Sequence, residues 1–263
     1  MIDIIIVTYN AKNKLRQCLK SLFQRTNKSS YKLTVVDNHS TDGSYSLLKT
    51  YNDKLTIIRT SENKGFSFAA NLALKSTSNK LIALLDDDVV VTKGWLQGLT
   101  KIINTKRKVG IVTPKLVYPD GSMYSYGFLP KTLLQTMNGE WDSGKDSNIK
   151  ECDACPGPCW LMKRSVIDEV GYFDERYFPS QYEDTDYCLR VRQYGYKIIY
   201  DGTTEIIHHH LSRTDNRVQK NRRLFYQKWE KVMDAYFLKT HMRPKALSIN
   251  EWKSIPNNKE LKK

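Results

Sequence analysis

Residues 80–91 read KLIALLDDDVVV, an apolar run that ends in three consecutive aspartates and then becomes apolar again. A short apolar run of this kind is typical of a buried strand. Burying neighbouring carboxylates without partners costs several kcal/mol, because like charges repel and each loses its hydration. A strand that ends in Asp86, Asp87 and Asp88 therefore predicts a bound cation at its end.

The residues before this stretch repeat a strand–helix pattern. Apolar runs at 3–9, 32–38 and 54–60 alternate with segments of helical spacing, such as KNKLRQCLKSLFQ at 12–24. Strands that alternate with helices indicate βαβ units joined by right-handed crossovers. The sequence therefore predicts an α/β fold with a Rossmann-like, mostly parallel central sheet flanked by helices.

After residue 110 the regular alternation of strand and helix patterns ends. The Pro-Asp-Gly turn within residues 110–128 predicts a small hairpin added to the sheet. Polar residues 130–150 predict a long loop, and residues 183–201 predict a helix followed by a strand. A helix from about 215 to 237 has an apolar stripe that we expect to pack on the domain: Phe225, Trp229, Val232, Met233 and Tyr236. We therefore expect one domain over residues 1–212 and a basic helical extension over 213–263.

Length and charge restrict the class of protein. The 263 residues are 40% hydrophobic, which is typical of a folded chain, and no apolar run reaches the roughly 18–20 residues of a membrane span. No secretory leader is present, so we expect a cytoplasmic location. Residues 213–263 carry 14 Lys and Arg against 5 Asp and Glu, hence nine of the fourteen excess positive charges. That extension suggests an anionic partner (nucleic acid, an acidic membrane surface or a phosphorylated acceptor) or a solvated helix face.

Five cysteines, three of them in CDACPGPC at 152–159, raise the question of a zinc site. A structural zinc site needs four ligands, usually two spaced pairs, and the sequence has no second pair. An odd cysteine count without a secretory signal also argues against a disulfide framework. We expect small, buried, reduced thiols.

Polar residues follow each of the first four predicted strands. In open parallel sheets ligands bind beyond the carboxyl ends of strands, so these side chains should share one rim. Each residue alone also has a local explanation, Asn10 as a helix cap and the glycine-containing segments as turns. The rim set is Thr8, Asn10, Asp37, Asn63, Gly65, Asp86 and Asp88.

The ordered set of motifs resembles the family 2 glycosyltransferases, nucleotide-sugar enzymes of the GT-A fold. The resemblance runs from Ile4 to about Trp229 and includes IIIVTYN, VVDNHSTDGS, NKGFSFAAN, LLDDDV, KLVYPDG, EDTDYCLRVRQYGYKI and QKW. The KLVYPDG and QKW segments are similar to rhamnosyltransferase-like members that build bacterial surface polysaccharides. The resemblance implies a nucleotide-sugar-binding half at 1–110 and an acceptor-binding half at 111–212.

The resemblance also implies roles for the rim residues. Asp37 corresponds to the contact with the nucleotide base, and Thr8 and Asn10 lie beside it. Asp86 and Asp88 match the outer positions of the DxD motif, Asp86 on the ribose and sugar side and Asp88 on the metal. Asn63, Gly65 and Asp87 complete the expected donor-binding set. Oxygen ligands suit Mg²⁺ or Mn²⁺, and an added imidazole favours Mn²⁺.

The histidine run at 208–210 could supply that imidazole. Successive side chains of a strand point to opposite faces, so at most two of the three can reach one ion. By its spacing to Ser212, His208 resembles the family's metal or diphosphate histidine, with His210 as the second candidate. The alternative is a polar strand end with no ligand role.

The EDTDYCLR segment is expected to supply the catalytic base. By the resemblance, Asp184 is the base that deprotonates the acceptor hydroxyl and Glu183 is its neighbour, and transfer inverts the anomeric configuration in one displacement. Acidic residues are also favoured at a helix N-terminus whatever the function. Trp160, in CPGPCWLM, either stacks on an acceptor sugar or belongs to the core.

These features predict a metal-dependent, inverting transferase that moves a sugar from a UDP- or dTDP-sugar to a glycan or lipid-linked acceptor. We expect no nucleic acid partner, and a peripheral contact of the basic extension with the inner face of the membrane. The alternative is a catalytically silent carbohydrate- or nucleic-acid-binding protein. The intact Asp86, Asp88 and Asp184 argue against that alternative.

Overall fold

The computed structural model describes residues 1–105, 108–125, 147–209 and 216–240. Its elements, in chain order, are β1 (Ile2–Thr8), α1 (Lys12–Arg25), β2 (Tyr31–Asp37), α2 (Ser44–Lys49), β3 (Thr56–Arg59), α3 (Phe66–Ser76), β4 (Leu81–Asp86), β5 (Val89–Val91), α4 (Trp95–Thr105), β6 (Val109–Val117), β7 (Met123–Ser125), β8 (Ile149–Cys152), β9 (Cys159–Lys163), α5 (Arg164–Val170), α6 (Glu183–Gln193), β10 (Lys197–His208) and α7 (Asn216–Thr240).

The first four strands form the predicted parallel unit, in the order β3-β2-β1-β4. Their register places Thr8 opposite Asp37 and Val7 opposite Asp86, so the carboxyl ends of β1, β2 and β4 lie together. The α/β class and the mostly parallel start of the sheet are therefore confirmed, and the carboxyl ends of these three strands lie at one edge of the sheet.

The rest of the sheet contains pairings that the sequence analysis missed. Strand β9 lies between β4 and β6 and is antiparallel to both, and β5 pairs antiparallel with β10. Both strands are short apolar runs, for which periodicity alone cannot separate strand from other buried structure. The predicted hairpin is present as β6 and β7. Of the predicted 130–150 loop, residues 126–146 lie outside the described part, and Ile149 begins β8, which pairs with β10.

Helices cover both faces of the sheet, which is why β1 is buried along its whole length. On one face α1 buries Leu15, Cys18, Leu19 and Leu22, and α4 buries the apolar side chains Trp95, Leu96, Leu99, Ile102 and Ile103. On the other face α3, α5 and α6 pack against the sheet. The five cysteines are all buried and free, as expected.

The C-terminal helix packs on the domain through the predicted stripe. Phe225 and Trp229 are buried, while the side chains of Val232, Met233 and Tyr236 lie outside the described part of the chain. The same sheet contains strands from both sides of residue 110, and the proposed division at 110 and 212 remains a prediction. Among the described residues, no helix combines the length and apolarity required to cross a bilayer.

Candidate active site

A cleft of about 460 Å³ opens beyond the carboxyl ends of β1, β2 and β4. Its lining comes from both ends of the chain, because β9, β10 and the segment before α6 close it from the other side. Nine of the residues predicted from sequence line it: Asn10, Asn63, Asp86, Asp87, Asp88, Trp160, Glu183, Asp184 and His208.

Asp88 lies in the turn between β4 and β5, and the side chains of His208 and Lys14 contact it. His208 Nε2 lies 3.0 Å from Asp88 Oδ1, and Lys14 Nζ lies 3.1 Å from Asp88 Oδ2. Burial alone would raise the pKa of Asp88, but the hydrogen bond and charge of His208, together with Lys14, outweigh it and lower the pKa to about 2. Asp88 is therefore an anion at neutral pH.

Pairing between β5 and β10 brings His208 to this position. His208 is opposite Val89 in the ladder, and the His209 amide donates to the Asp88 carbonyl oxygen at 2.9 Å. Lys14 also donates to the His209 carbonyl at 2.8 Å. Residues that are far apart in sequence are thus held by backbone pairing, which fixes the imidazole beside the aspartates.

The other two aspartates experience the opposite electrostatic effect. Burial, followed by the charges of Asp88, Asp87 and Asp184, raises the pKa of Asp86 well above its ordinary value. Burial also raises the pKa of Asp87 to about 7, against the lowering effect of the Thr8 hydroxyl. Without a cation these two carboxyl groups therefore favour their protonated form, and a bound cation would favour the ionised form.

Asp86, Asp88 and His208 form a group that fits a divalent metal. Each offers one ligand atom, and these atoms all lie within 4.8 Å of one another. Two carboxylates and one imidazole suit Mn²⁺. They suit Mg²⁺ less well, because Mg²⁺ prefers oxygen ligands. His210, the second candidate ligand, lies outside the described residues.

Asp184 and Glu183 occupy the first turn of α6, facing the same cleft. Asp184 Oδ2 accepts the Gly157 amide at 3.2 Å, and Oδ1 accepts the Thr185 amide at 2.6 Å. Burial raises the pKa of Asp184, and burial together with the Asp184 charge raises that of Glu183 well above normal. Asp184 is thus held in a fixed orientation and made more basic than an ordinary aspartate.

The residues expected to contact the nucleotide base do not all face the cleft. Asp37 is fully buried, with Oδ1 accepting the Ser40 amide at 3.1 Å and Oδ2 3.3 Å from Arg59 Nε. Thr8 is also buried, and neither Asp37 nor Thr8 lines the cleft. Asn10 does line it, but its side chain accepts the Thr41 amide at 2.8 Å and does not cap α1. The role of these residues in binding a base remains a prediction.

Close packing explains why residue 65 is a glycine. Its φ is +84°, and a Cβ there would lie 2.9 Å from Phe178 and 3.0 Å from the Pro179 carbonyl oxygen. The Phe66 amide donates to that same oxygen at 2.7 Å. Only glycine fits this approach, and Gly65 lies behind the cleft lining, whereas Asn63 belongs to it.

Trp160 is a core residue in this structure. Its indole is fully buried, donates to the Pro156 carbonyl at 2.7 Å and stacks on Phe173 at a centroid distance of 6.1 Å. Only its position under the floor of the cleft connects it to the site. Because a sugar stacks on an exposed ring face, the geometry favours the core interpretation of Trp160 over acceptor stacking.

Three cleft residues were not singled out from the sequence. Lys14 reads as an ordinary surface lysine of an amphipathic helix, and Tyr124 as a hairpin residue whose ring meets His208 edge-on at 4.6 Å. Asn38 donates to Asn63 Oδ1 at 2.9 Å and to the Gly65 carbonyl at 3.1 Å, so it orders the 63–65 turn. Its position directly after Asp37, at a strand end, was the signal available for it.

The fold, a mixed central sheet flanked by helices, is that of the GT-A glycosyltransferases. The solved structure titled GalNAc-T7 with UDP, GalNAc and Mn²⁺ matches with a TM-score of 0.69 over 97% of this chain and 54% of its own, at 15% identity. The profile described as "Glycosyl transferase family 2" matches residues 3–171. The chain belongs to this family.

Two sequence relatives illustrate the range of the family. The N-acetylglucosaminyl-diphospho-decaprenol L-rhamnosyltransferase of Mycobacterium tuberculosis is 25% identical over 235 residues, which cover 80% of this chain and 76% of that protein. The protein y4gI of Sinorhizobium fredii is 26% identical over 247 residues, 87% of this chain. The chain spans only 27% of the length of y4gI.

Proposed function

We propose that this protein transfers a sugar from a UDP- or dTDP-sugar to a glycan or lipid-linked acceptor, with inversion, and that it depends on Mn²⁺ or Mg²⁺. The observation that carries the proposal is the cleft itself. It holds the Asp86–Asp88–His208 ligand group and the fixed carboxylate of Asp184 within one cavity. Donor binding and deprotonation of the acceptor hydroxyl can therefore take place in the same cleft.

The donor end is built for a diphosphate. Asp86, Asp88 and His208 would hold the metal, which when bound would stabilise the negative charge that develops on the departing nucleoside diphosphate. Lys14 adds a fixed positive charge beside Asp88. Asn10 and Asn63, on the β1 and β3 side, offer polar groups to the nucleoside.

Asp184 is the proposed base. As the acceptor hydroxyl oxygen bonds to the anomeric carbon, the bond from that carbon to the diphosphate oxygen breaks and the hydroxyl proton passes to the Asp184 carboxylate. A single displacement of this kind inverts the anomeric configuration. The raised pKa of Asp184 suits this role, because general-base catalysis improves as the pKa of the base approaches the working pH.

The acceptor class rests on the relatives. The mycobacterial relative is named for transfer of rhamnose to a sugar on diphospho-decaprenol, a lipid-linked acceptor. The exposed Lys220, Arg222, Arg223 and Lys231 of α7 give the basic extension a surface that could meet an anionic membrane. Peripheral membrane association of this surface remains a prediction.

A thermal-shift panel of UDP, dTDP, GDP and CDP, each with Mn²⁺, Mg²⁺ or EDTA, tests the donor and the metal together. A diphosphate at one hundred times its dissociation constant should add about 2.7 kcal/mol of stability with metal and far less with EDTA. In Asp88→Asn the metal-dependent stabilisation should disappear, because a ligand oxygen loses its charge. Asp120→Asn, at an exposed turn aspartate, is the matched control and should behave as the unaltered protein.

Sugar transfer to a lipid-linked glycan should then follow the same nucleotide preference. Stabilisation by one diphosphate that does not require metal, or that persists in Asp88→Asn, would contradict the metal-dependent mechanism. The absence of stabilisation by every nucleotide would contradict the proposed donor class.

A further inference from the structure

The segment that carries the proposed base has a backbone conformation that its own residues disfavour. Gln181 and Tyr182, directly before Glu183 and Asp184, have φ angles of +82° and +72°. Side chains with a Cβ rarely adopt this left-handed region, and such residues persist only where the surroundings hold them. The position of Asp184 therefore depends on what contacts residues 178–184.

Helix α7 supplies those contacts through one buried side chain and one ring. Asn221, which is fully buried, donates from Nδ2 to the Ser180 carbonyl at 2.8 Å and to the Gln181 carbonyl at 3.3 Å. The Tyr182 ring lies 5.4 Å, centroid to centroid, from that of Phe225. A single amide thus bonds two consecutive carbonyls next to the left-handed residues.

Asp186 forms the second attachment, two residues after Asp184 in the first turn of α6. Its carboxylate is fully buried, and Oδ1 accepts the Trp229 indole N–H at 2.8 Å and lies 2.7 Å from Lys228 Nζ. Arg190 Nε donates to Oδ2 at 2.9 Å. Lys228 also pairs with Asp174 at 2.9 Å, so it joins the chain before the 178–184 segment to the helix after it.

We propose that α7 is a clamp that positions Asp184, with Asn221, Lys228 and Trp229 as positioning residues. The inference rests on the proposed function only in taking Asp184 as the base. The clamp acts on both sides of Asp184, at the carbonyls before it and at Asp186 after it. Helix α7 also follows, along the chain, the strand that ends at His208, so one stretch of chain serves both ends of the cleft.

Hydrogen exchange of the full-length protein tests the clamp without relying on activity. In Asn221→Ala and in Trp229→Phe, which keeps an aromatic ring but removes the indole N–H, amides of residues 176–186 should exchange about tenfold faster. Residues 80–91 should exchange as in the unaltered protein. Lys231→Ala, on the exposed face of α7, should change neither region.

Kinetics separate positioning from general stability. Asn221→Ala and Trp229→Phe should lower kcat by roughly 10- to 100-fold, because a misplaced base slows chemistry, while the donor KM changes by less than about threefold. Ile103→Val, a buried substitution in α4 away from the cleft, controls for lost stability and should leave kcat unchanged. If Asn221→Ala unfolds, Asn221→Ser repeats the test with a smaller defect.

Two results would overturn the inference. One is unchanged exchange of residues 176–186 in both α7 variants, or faster exchange spread evenly over the chain. The other is a kcat in the α7 variants equal to that of Ile103→Val at the same melting temperature. If the unaltered protein transfers no sugar, the proposed function fails, and the exchange pattern still decides whether α7 holds the segment.

Discussion

The two ends of the cleft hold their carboxylates by different kinds of contact. Asp86 and Asp88 follow directly from β4, and the regular pairing of β5 with β10 brings His208 to them. Asp184 instead lies just after two left-handed residues, and its segment is contacted by the backbone at residues 65–66 and by side chains of α7. Sheet hydrogen bonding fixes the first end, whereas the second depends on a few irregular tertiary contacts.

This difference suggests a division of labour between the two ends. A diphosphate and its metal need fixed ligands, which strand ends provide at little conformational cost. A general base has to fit the acceptor of each enzyme. The sequence of an irregular segment attached to the core at several points can vary without disturbing the sheet. The predictions below test whether the two ends can be altered separately.

The largest effect should come from Asp184→Asn. Removing the base should lower the rate of sugar transfer by roughly 10²–10⁴-fold, since general-base catalysis contributes that much. Stabilisation by nucleoside diphosphate and metal should persist, because the asparagine keeps the size of the side chain and the ligand group is intact. Steady-state kinetics and thermal shift on the same sample measure both quantities.

Asp168→Asn, at an exposed aspartate of α5, is the control for that substitution and should retain full activity. Transfer by Asp184→Asn at more than half the original rate would place the base elsewhere. Loss of nucleotide binding in Asp184→Asn would show that the two ends are not separable.

Gly65→Ala should destabilise the contact that joins the two ends. Gly121 has nearly the same φ, +82° against +84°, but nothing lies within 4 Å of a Cβ placed on it. Gly121→Ala should therefore cost roughly 1–2 kcal/mol from backbone conformation alone. Gly65→Ala should cost about 1–3 kcal/mol more, because the Gly65 ψ of 167° lies outside the left-handed helical region and its Cβ would overlap Phe178 and Pro179.

Chemical denaturation of the two alanine variants measures this difference directly. Equal losses in the free energy of unfolding would mean that residues 178–179 move aside easily, and the two ends would then be only loosely joined. A larger loss for Gly65→Ala, with a lower rate of transfer, would confirm the close packing of Gly65 against the 178–184 segment.

The last prediction is a pH dependence of stability at the donor end. The pKa of Asp87 is raised in the folded protein from 3.8 to about 7, so the folded state keeps a proton that the unfolded chain has lost. This contribution to stability is complete below about pH 4 and disappears as the pH rises through about 7. The free energy of unfolding without metal should therefore fall over this range, and Asp87→Asn should flatten the slope.

Denaturant titrations between pH 4 and 8 measure that slope. Bound Mn²⁺ should reduce it, because a cation lowers the pKa of neighbouring carboxylates. Asp88 affects stability in the opposite direction. Its pKa is lowered to about 2, so its contribution to the free energy of unfolding is present above the ordinary aspartate pKa and is lost only in acid. A slope that is the same in Asp87→Asn would assign the titration to another group.

Much of the donor end could be predicted from the sequence. Apolar runs of strand length, helical spacing between them and polar residues at each strand end together indicate a parallel sheet with one functional rim. Adjacent carboxylates at the end of a buried strand indicate a cation there, although the resemblance gave the metal role to Asp88 alone and placed Asp86 on the ribose and sugar side. These features are local, so neighbouring residues in the chain are sufficient to reveal them.

Tertiary structure alone decided the rest. Lys14 meets Asp88 only because α1 packs near the strand ends. The resemblance pointed to His208, but the pairing of β5 with β10 is what places it beside Asp88. Trp160 lies in the core because β9 enters the middle of the sheet, and α7 reaches Asp186 by packing across the fold. Periodicity describes which face of an element is apolar, but it contains no information about which distant element will cover that face.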